Sequence, residues 1–173
     1  MALRWDREVS AAVNQAKARY GVPIDSALVH AVIERESAHR DTSSAGTLEP
    51  NGRRSYGPMQ VMDTTGQMHG ISDPSTMVLP SVGIRIGTYE LARLLKLFPG
   101  DTPRAVAAYN AGAGNAARNA AGRFVNQPYV DAVLSFWRRY LQPVATAAAP
   151  VAAVLAVVAI AFLMSRRRRL AWG

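Results

Sequence analysis

Thr102-Pro103-Arg104-Ala105-Val106-Ala107-Ala108-Tyr109-Asn110-Ala111-Gly112 is the stretch on which the reading of this chain turns. Pro99-Gly100-Asp101 breaks the pattern before it, and the Gly112/Gly114 turn ends it, so Thr102 to Tyr109 reads as a short helix. Upstream, helical spacing from about Ser81 to Phe98 brings Ile84, Ile86, Tyr89, Leu91, Leu94, Leu95 and Phe98 to a core face. Downstream, about Pro128 to Leu141 forms a last amphipathic helix with Tyr129, Val130, Val133, Leu134 and Trp137 inward. Nearer the N-terminus, Trp5, Val9, Ala12, Val13, Ala16 and Tyr20 recur at helical spacing up to a C-cap at Gly21, shortly before Pro23. Asp25 or Ser26 caps a second helix whose Leu28, Val29, Val32 and Ile33 lead into Glu36-Ser37. His39 to Ser55 is polar and turn-rich, with Gly46, Pro50, Asn51 and Gly52, and reads as a surface loop suited to a cleft wall. No segment shows sustained strand alternation and no internal repeat is present, so the fold class is mainly α.

Composition narrows the function classes. The 173 residues suffice for one compact domain with an appendage. Twenty Lys and Arg against twelve Asp and Glu give a net charge of +8, which favours an anionic partner. Half of that excess lies in Arg166 to Arg169, and the rest lacks the aromatic-interleaved basic patch of a nucleic-acid reader, so no nucleic-acid partner is expected. Without cysteine there is no disulfide framework, thiol nucleophile or thiolate metal site.

The N-terminus, Met1 to Asp6, reaches charged residues at once and lacks the pattern of a secretory signal peptide. After Gln142 the composition changes: Val144 to Met164 carries no charge and matches the roughly 20 residues needed to cross a bilayer. Trp137 and Tyr140 stand at one end as interface anchors, Ser165 and the four arginines at the other. Expected boundaries are a catalytic domain over 1–142, one transmembrane helix over 143–165 and a basic tail over 166–173. An Ala/Pro-rich linker or a last core helix is the alternative for that span.

A carboxyl that donates a proton near neutrality needs burial or a similar influence to keep it protonated. Glu36 follows an apolar stripe and lies at the C-terminal end of its helix, where the dipole also disfavours ionisation. Glu34 points to roughly the opposite face and is expected to be solvated or paired with Arg35 or Arg40. A helical glutamate alone is more often a surface charge than a catalyst, and the other segments supply the argument.

Glu36-Ser37, Tyr56-Gly57-Pro58-Met59-Gln60, Ala108-Tyr109-Asn110-Ala111-Gly112 and Tyr129-Val130 follow one another in that order. This set resembles the soluble lytic transglycosylase (SLT) family, whose signatures are ES, GLMQ, AYNAG and a late tyrosine. The resemblance spans about Pro23 to Val133, and AYNAG is its specific element. Pro58 departs from the usual leucine, and the loop between Glu36 and Gly57 is long, which bears on the cleft wall and the sugar subsites. The resemblance implies a lysozyme-like fold and the following roles: Glu36 as catalytic acid/base, Ser37 as a helper, Met59 and Gln60 lining the glycan groove, Tyr109 and Asn110 holding carboxyl and substrate, and Tyr129 approaching Glu36. Packing, capping or backbone bonding is the structural alternative for each helper.

The implied reaction cleaves the bond between N-acetylmuramic acid and N-acetylglucosamine, leaves a 1,6-anhydro end, and needs one carboxyl. A hydrolytic lysozyme would require a second acid, for which Asp41, Glu49 and Asp63 are available. His30, His39 and His69 form no His-Glu-x-x-His pair, and His30 with Glu34 reads as an exposed i,i+4 pair, so neither metal nor cofactor is expected. Expected partners are peptidoglycan strands, a lipid bilayer at residues 144–164, and virion or membrane-complex proteins, since similar domains occur in phage particles. In this topology the arginine tail stays cytoplasmic and the catalytic domain lies on the cell-wall side, as in a bacteriophage wall-penetration enzyme or a host envelope enzyme. A non-catalytic glycan-binding or structural membrane protein is the reading from another class.

Overall fold

The computed structural model describes residues 3–40, 47–48 and 52–142. Met1–Leu141 form one compact unit. The expected membrane span over 143–165 and the basic tail over 166–173 lie outside the described residues. Among the described residues, no helix is long and apolar enough to cross a membrane.

The described elements run α1 (Asp6–Tyr20), α2 (Ser26–Ser37), β1 (Thr47–Leu48), β2 (Arg54–Tyr56), β3 (Val61–Met62), α3 (Asp63–Met68), α4 (Pro80–Leu97), α5 (Thr102–Ala111) and α6 (Gln127–Leu141). Local chemistry sets the helix ends. Gly21, at φ 71°, closes α1 with its N–H on the Lys17 carbonyl. The Asp25 carboxylate accepts from the Ala27 N–H at 2.8 Å and starts α2. The Asp101 carboxylate accepts from the Arg104 N–H at 3.1 Å to start α5, with Pro103 in the first turn where no donor is needed.

In the tertiary packing α1 lies on α4, α2 lies on α6, and α5 touches both α4 and α6. One core joins Val9, Ala12 and Ala16 of α1 with Leu28, Val29, Val32 and Ile33 of α2, and with Ile84, Ile86, Leu91 and Leu94 of α4. Each large aliphatic side chain so buried contributes about 1.5–3 kcal/mol. Four consecutive residues of α5, Ala105 to Ala108, are buried, so this helix is enclosed on most sides. At its C-terminal end Tyr109 is half-buried and Asn110 is exposed.

The expectation of an irregular loop over 39–55 needs correction. An antiparallel three-stranded sheet of order β1-β2-β3 is built here, with Thr47 opposite Ser55, Leu48 opposite Arg54, Ser55 opposite Met62 and Tyr56 opposite Val61. Strands of two or three residues are too short to display alternation in sequence. α3 is a second element that periodicity does not reveal.

Candidate active site

Glu36 sits half-buried in the last turn of α2. The chain leaves that helix through two consecutive non-glycine residues in the left-handed region, Ala38 at φ 51° and His39 at φ 54°. Such conformations cost about 1–2 kcal/mol each. They are held by the Arg40 N–H on the Ser37 carbonyl, by Arg40 Nε on the same oxygen at 3.1 Å, and by Arg4 Nη1 on the His39 carbonyl at 3.2 Å. This exit turns the chain sharply just beyond Glu36. The Ser37 hydroxyl is buried and donates to the Ile33 carbonyl at 3.1 Å, within its own helix. Glu34 is bound to α6: Arg139 Nη2 lies at 3.5 Å and the Tyr140 hydroxyl at 3.3 Å. Those partners replace the expected Arg35 and Arg40, because the α2–α6 packing brings the end of α6 alongside.

Tyr129 of α6 donates its hydroxyl to Glu36 Oε1 at 2.6 Å. Burial first, then the charge of Glu36 and this hydrogen bond, push the Tyr129 hydroxyl well above the ordinary tyrosine range, so it remains a donor. The Arg35 guanidinium stacks over the same ring at 5.3 Å from its centroid. Tyr109 also stays protonated, through burial and through the charges of Glu36 and Glu90. Its hydroxyl donates to the Met59 carbonyl at 2.9 Å. Met59 therefore serves through its backbone. Its side chain is fully buried, a correction to the expectation that it lines the groove.

The turn carrying Gly57 to Gln60 is held in place by two glycines. A Cβ on Gly87 would lie 2.6 Å from Met59 Sδ and 2.9 Å from the Tyr109 hydroxyl, so α4 must be bare there. Gly57, at φ 72°, packs its α-carbon against the Met77 carbonyl. Gln60, itself at φ 44°, donates from Nε2 to the Gly57 carbonyl at 2.9 Å and accepts from the Ser55 hydroxyl at 3.0 Å.

A cleft of about 320 Å³ opens beside this turn, with Gln60, Met62, Thr65, Glu90, Tyr109 and Asn110 among its walls. Asn110 is oriented by Asn126, whose Nδ2 donates to Asn110 Oδ1 at 2.8 Å and to the Ala107 carbonyl at 3.1 Å. Asn126, Thr65 and Glu90 are not singled out by the sequence. Glu90 and Arg93 resemble an exposed i,i+3 pair there, and only the interruption of the apolar α4 stripe by a carboxylate hints otherwise. Burial opposes the charge on Glu90, but hydrogen bonds from Arg93 and His69, with their charges, outweigh it and hold the carboxyl at about 2.

That depression links stability to pH. The folded value lies below the ordinary 4.5, so the unfolded chain takes up the proton first as pH falls. The stabilisation is complete above about pH 4.5 and is lost between there and about pH 2, on the order of 3 kcal/mol. Urea unfolding across this interval should give a flatter pH dependence for Glu90→Gln than for the wild type. Identical slopes would remove Glu90 from the linkage.

The remaining ionisable residues lie elsewhere. His30 is buried, 2.9 Å from Asp6 and stacked on His39, which corrects the expected exposed pair with Glu34. Burial lowers its pKa against the opposing pull of Asp6, and His39 adds to the lowering. Among the described residues no group of three or more His, Asp or Glu is disposed to hold a metal ion. Of the alternative second acids, Asp63 starts α3 and pairs with Arg53 at 3.4 Å, while Asp41 and Glu49 lie outside the described residues.

Two comparisons bear on this arrangement. The family model of the transglycosylase SLT domain matches residues 11–127. A solved structure of an inactive glutamate-to-glutamine mutant of the lytic transglycosylase Slt from Pseudomonas aeruginosa is similar at a TM-score of 0.56 and 25% identity, covering 76% of this chain and 23% of that one. The chain thus spans about a quarter of the length of that protein.

Proposed function

Because this chain belongs to the transglycosylase SLT domain family, we propose that it is a peptidoglycan lytic transglycosylase in which Glu36 is the only acid/base. The carrying observation is the 2.6 Å hydrogen bond from Tyr129 to Glu36, which orients one half-buried carboxyl from across the fold. Protonated Glu36 gives its proton to the glycosidic oxygen between N-acetylmuramic acid and N-acetylglucosamine, the C1–O bond breaks, and the substrate's own N-acetyl group stabilises the positive anomeric centre. Glu36, now a carboxylate, takes the proton of the muramoyl C6 hydroxyl as that oxygen bonds to C1. The acid is thereby regenerated, no water is consumed and a 1,6-anhydro end remains. The similarity to a lytic transglycosylase inactivated by a glutamate-to-glutamine change supports a glutamate in this role.

Mass spectrometry of purified peptidoglycan after incubation with the protein tests the reading. Anhydromuramoyl ends are expected. Reducing ends would instead mean hydrolysis, for which Glu90 is a carboxylate in the cleft. Absence of cleavage by a folded chain would favour a glycan-binding or structural protein.

The setting we propose is a C-terminal membrane anchor at 144–164, with the domain on the wall side and Arg166 to Arg169 in the cytoplasm, in a phage-type particle that opens the wall locally for genome entry. Its support is the uncharged span followed by four arginines. Protein found in host membranes and never in purified particles would overturn the virion setting.

A further inference from the structure

Glu90 is the least expected wall of the cleft. Its side chain is 12% exposed, and three bonds hold it: Arg93 Nη2 on Oε1 at 2.7 Å, Arg93 Nε on Oε2 at 2.9 Å, and His69 Nε2 on Oε2 at 3.0 Å. His69 is almost wholly buried, and its Nδ1 faces the Tyr20 hydroxyl at 3.0 Å. Facing a carboxylate that can only accept, Nε2 carries an N–H that donates to Glu90, while Nδ1 is bonded to the Tyr20 hydroxyl. Residues from α1, α3's C-terminal flank and α4 thus converge to orient one carboxylate at the cleft wall.

A carboxylate offers about four acceptor positions. Two are taken on Oε2 and one on Oε1, so Oε1 retains a lone pair. The adjacent Arg93 balances the charge, which suits an uncharged donor better than an ammonium or a second carboxylate. An ion pair serving packing alone could be replaced by apolar residues of similar volume at little or no cost to stability.

We infer that Glu90 is a sugar-binding residue of this cleft, its Oε1 accepting a hydrogen bond from a hydroxyl of one hexosamine unit of the glycan while Arg93, His69 and Tyr20 hold it in position. The inference rests on the glycan-cleaving reading above and names a contact within it. The cleft, at about 320 Å³, lies at the small end of the roughly 300–1,000 Å³ typical of ligand sites and suits one ring unit better than several.

The test is calorimetric binding of the N-acetylglucosamine tetramer to the full chain carrying Glu36→Gln, with and without Glu90→Leu, which removes the acceptor at similar volume. Loss of one hydrogen bond to a charged group should weaken binding about 10- to 100-fold. An unchanged affinity in a folded double variant would overturn the inference. Should the double variant fail to melt cooperatively, the Glu90 carboxyl ¹³C resonance is followed in the Glu36→Gln chain during titration with the same tetramer. A saturable shift is expected, and its absence would overturn the contact. Because binding is read without turnover, a wild type that cleaves nothing would defeat the transglycosylase reading while leaving this contact to be decided by the affinities.

Discussion

Glu36→Gln should reduce the release of anhydromuramoyl products by about 10³-fold or more while leaving the melting temperature nearly unchanged. A positioned general acid/base contributes roughly 10²- to 10⁴-fold, and in the proposed mechanism one carboxyl performs both proton transfers. Glutamine can neither protonate the glycosidic oxygen nor accept the C6 hydroxyl proton. Its amide oxygen can still accept from Tyr129, and Glu36 is only half-buried, so the folding cost should be small. Product quantification by mass spectrometry, with a thermal melt on the same preparation, separates chemistry from folding. Retention of more than about a tenth of the activity would be incompatible with Glu36 as the only acid/base.

Gly57→Ala should be the most damaging single methyl group on the fold. At φ 72° an alanine carries the left-handed penalty of about 1–2 kcal/mol. Its Cβ would also lie 2.1 Å from the Met77 carbonyl oxygen and 3.4 Å from the Gly83 α-carbon. Met77 is fully buried and both obstacles are backbone, so no side chain can swing aside. A loss exceeding about 3 kcal/mol is expected, a large part of a typical stability of roughly 5–15 kcal/mol. Gly52 has nearly the same φ, 77°, and a Cβ there would meet nothing within 4 Å. Gly52→Ala should therefore cost only the backbone term, about 1–2 kcal/mol. Equal losses in the two variants, measured by urea denaturation, would mean that conformation and not the close approach governs Gly57.

Much of the candidate site is legible in the sequence. Glu36 stands out because a carboxylate ends an apolar helical stripe, and Tyr109, Asn110 and Gln60 because they belong to ordered motifs. Glu90 does not stand out, since an acid three residues before an arginine on a helix usually indicates a solvated pair. Its different role depends on His69 and Tyr20, which approach from other segments. Met59 is assigned to the groove by its motif position, yet the core occupies its side chain and the site uses its carbonyl.

The sequence alone determined the helices from α1 to α6 apart from short α3, their order, their caps at Gly21 and at Asp25 or Ser26, the break at Pro99-Gly100-Asp101, and the carboxylate on which the proposed chemistry rests. These properties are local, set by periodicity and capping within a few residues. The tertiary structure alone decided that Tyr109 reaches the Met59 carbonyl across 50 residues and that Glu34 is bound to α6, and it turned the approach of Tyr129 to Glu36, implied by the family resemblance, into a 2.6 Å hydrogen bond across 93 residues. Such contacts follow from which helix faces are buried against each other, and no periodicity within one segment encodes that choice.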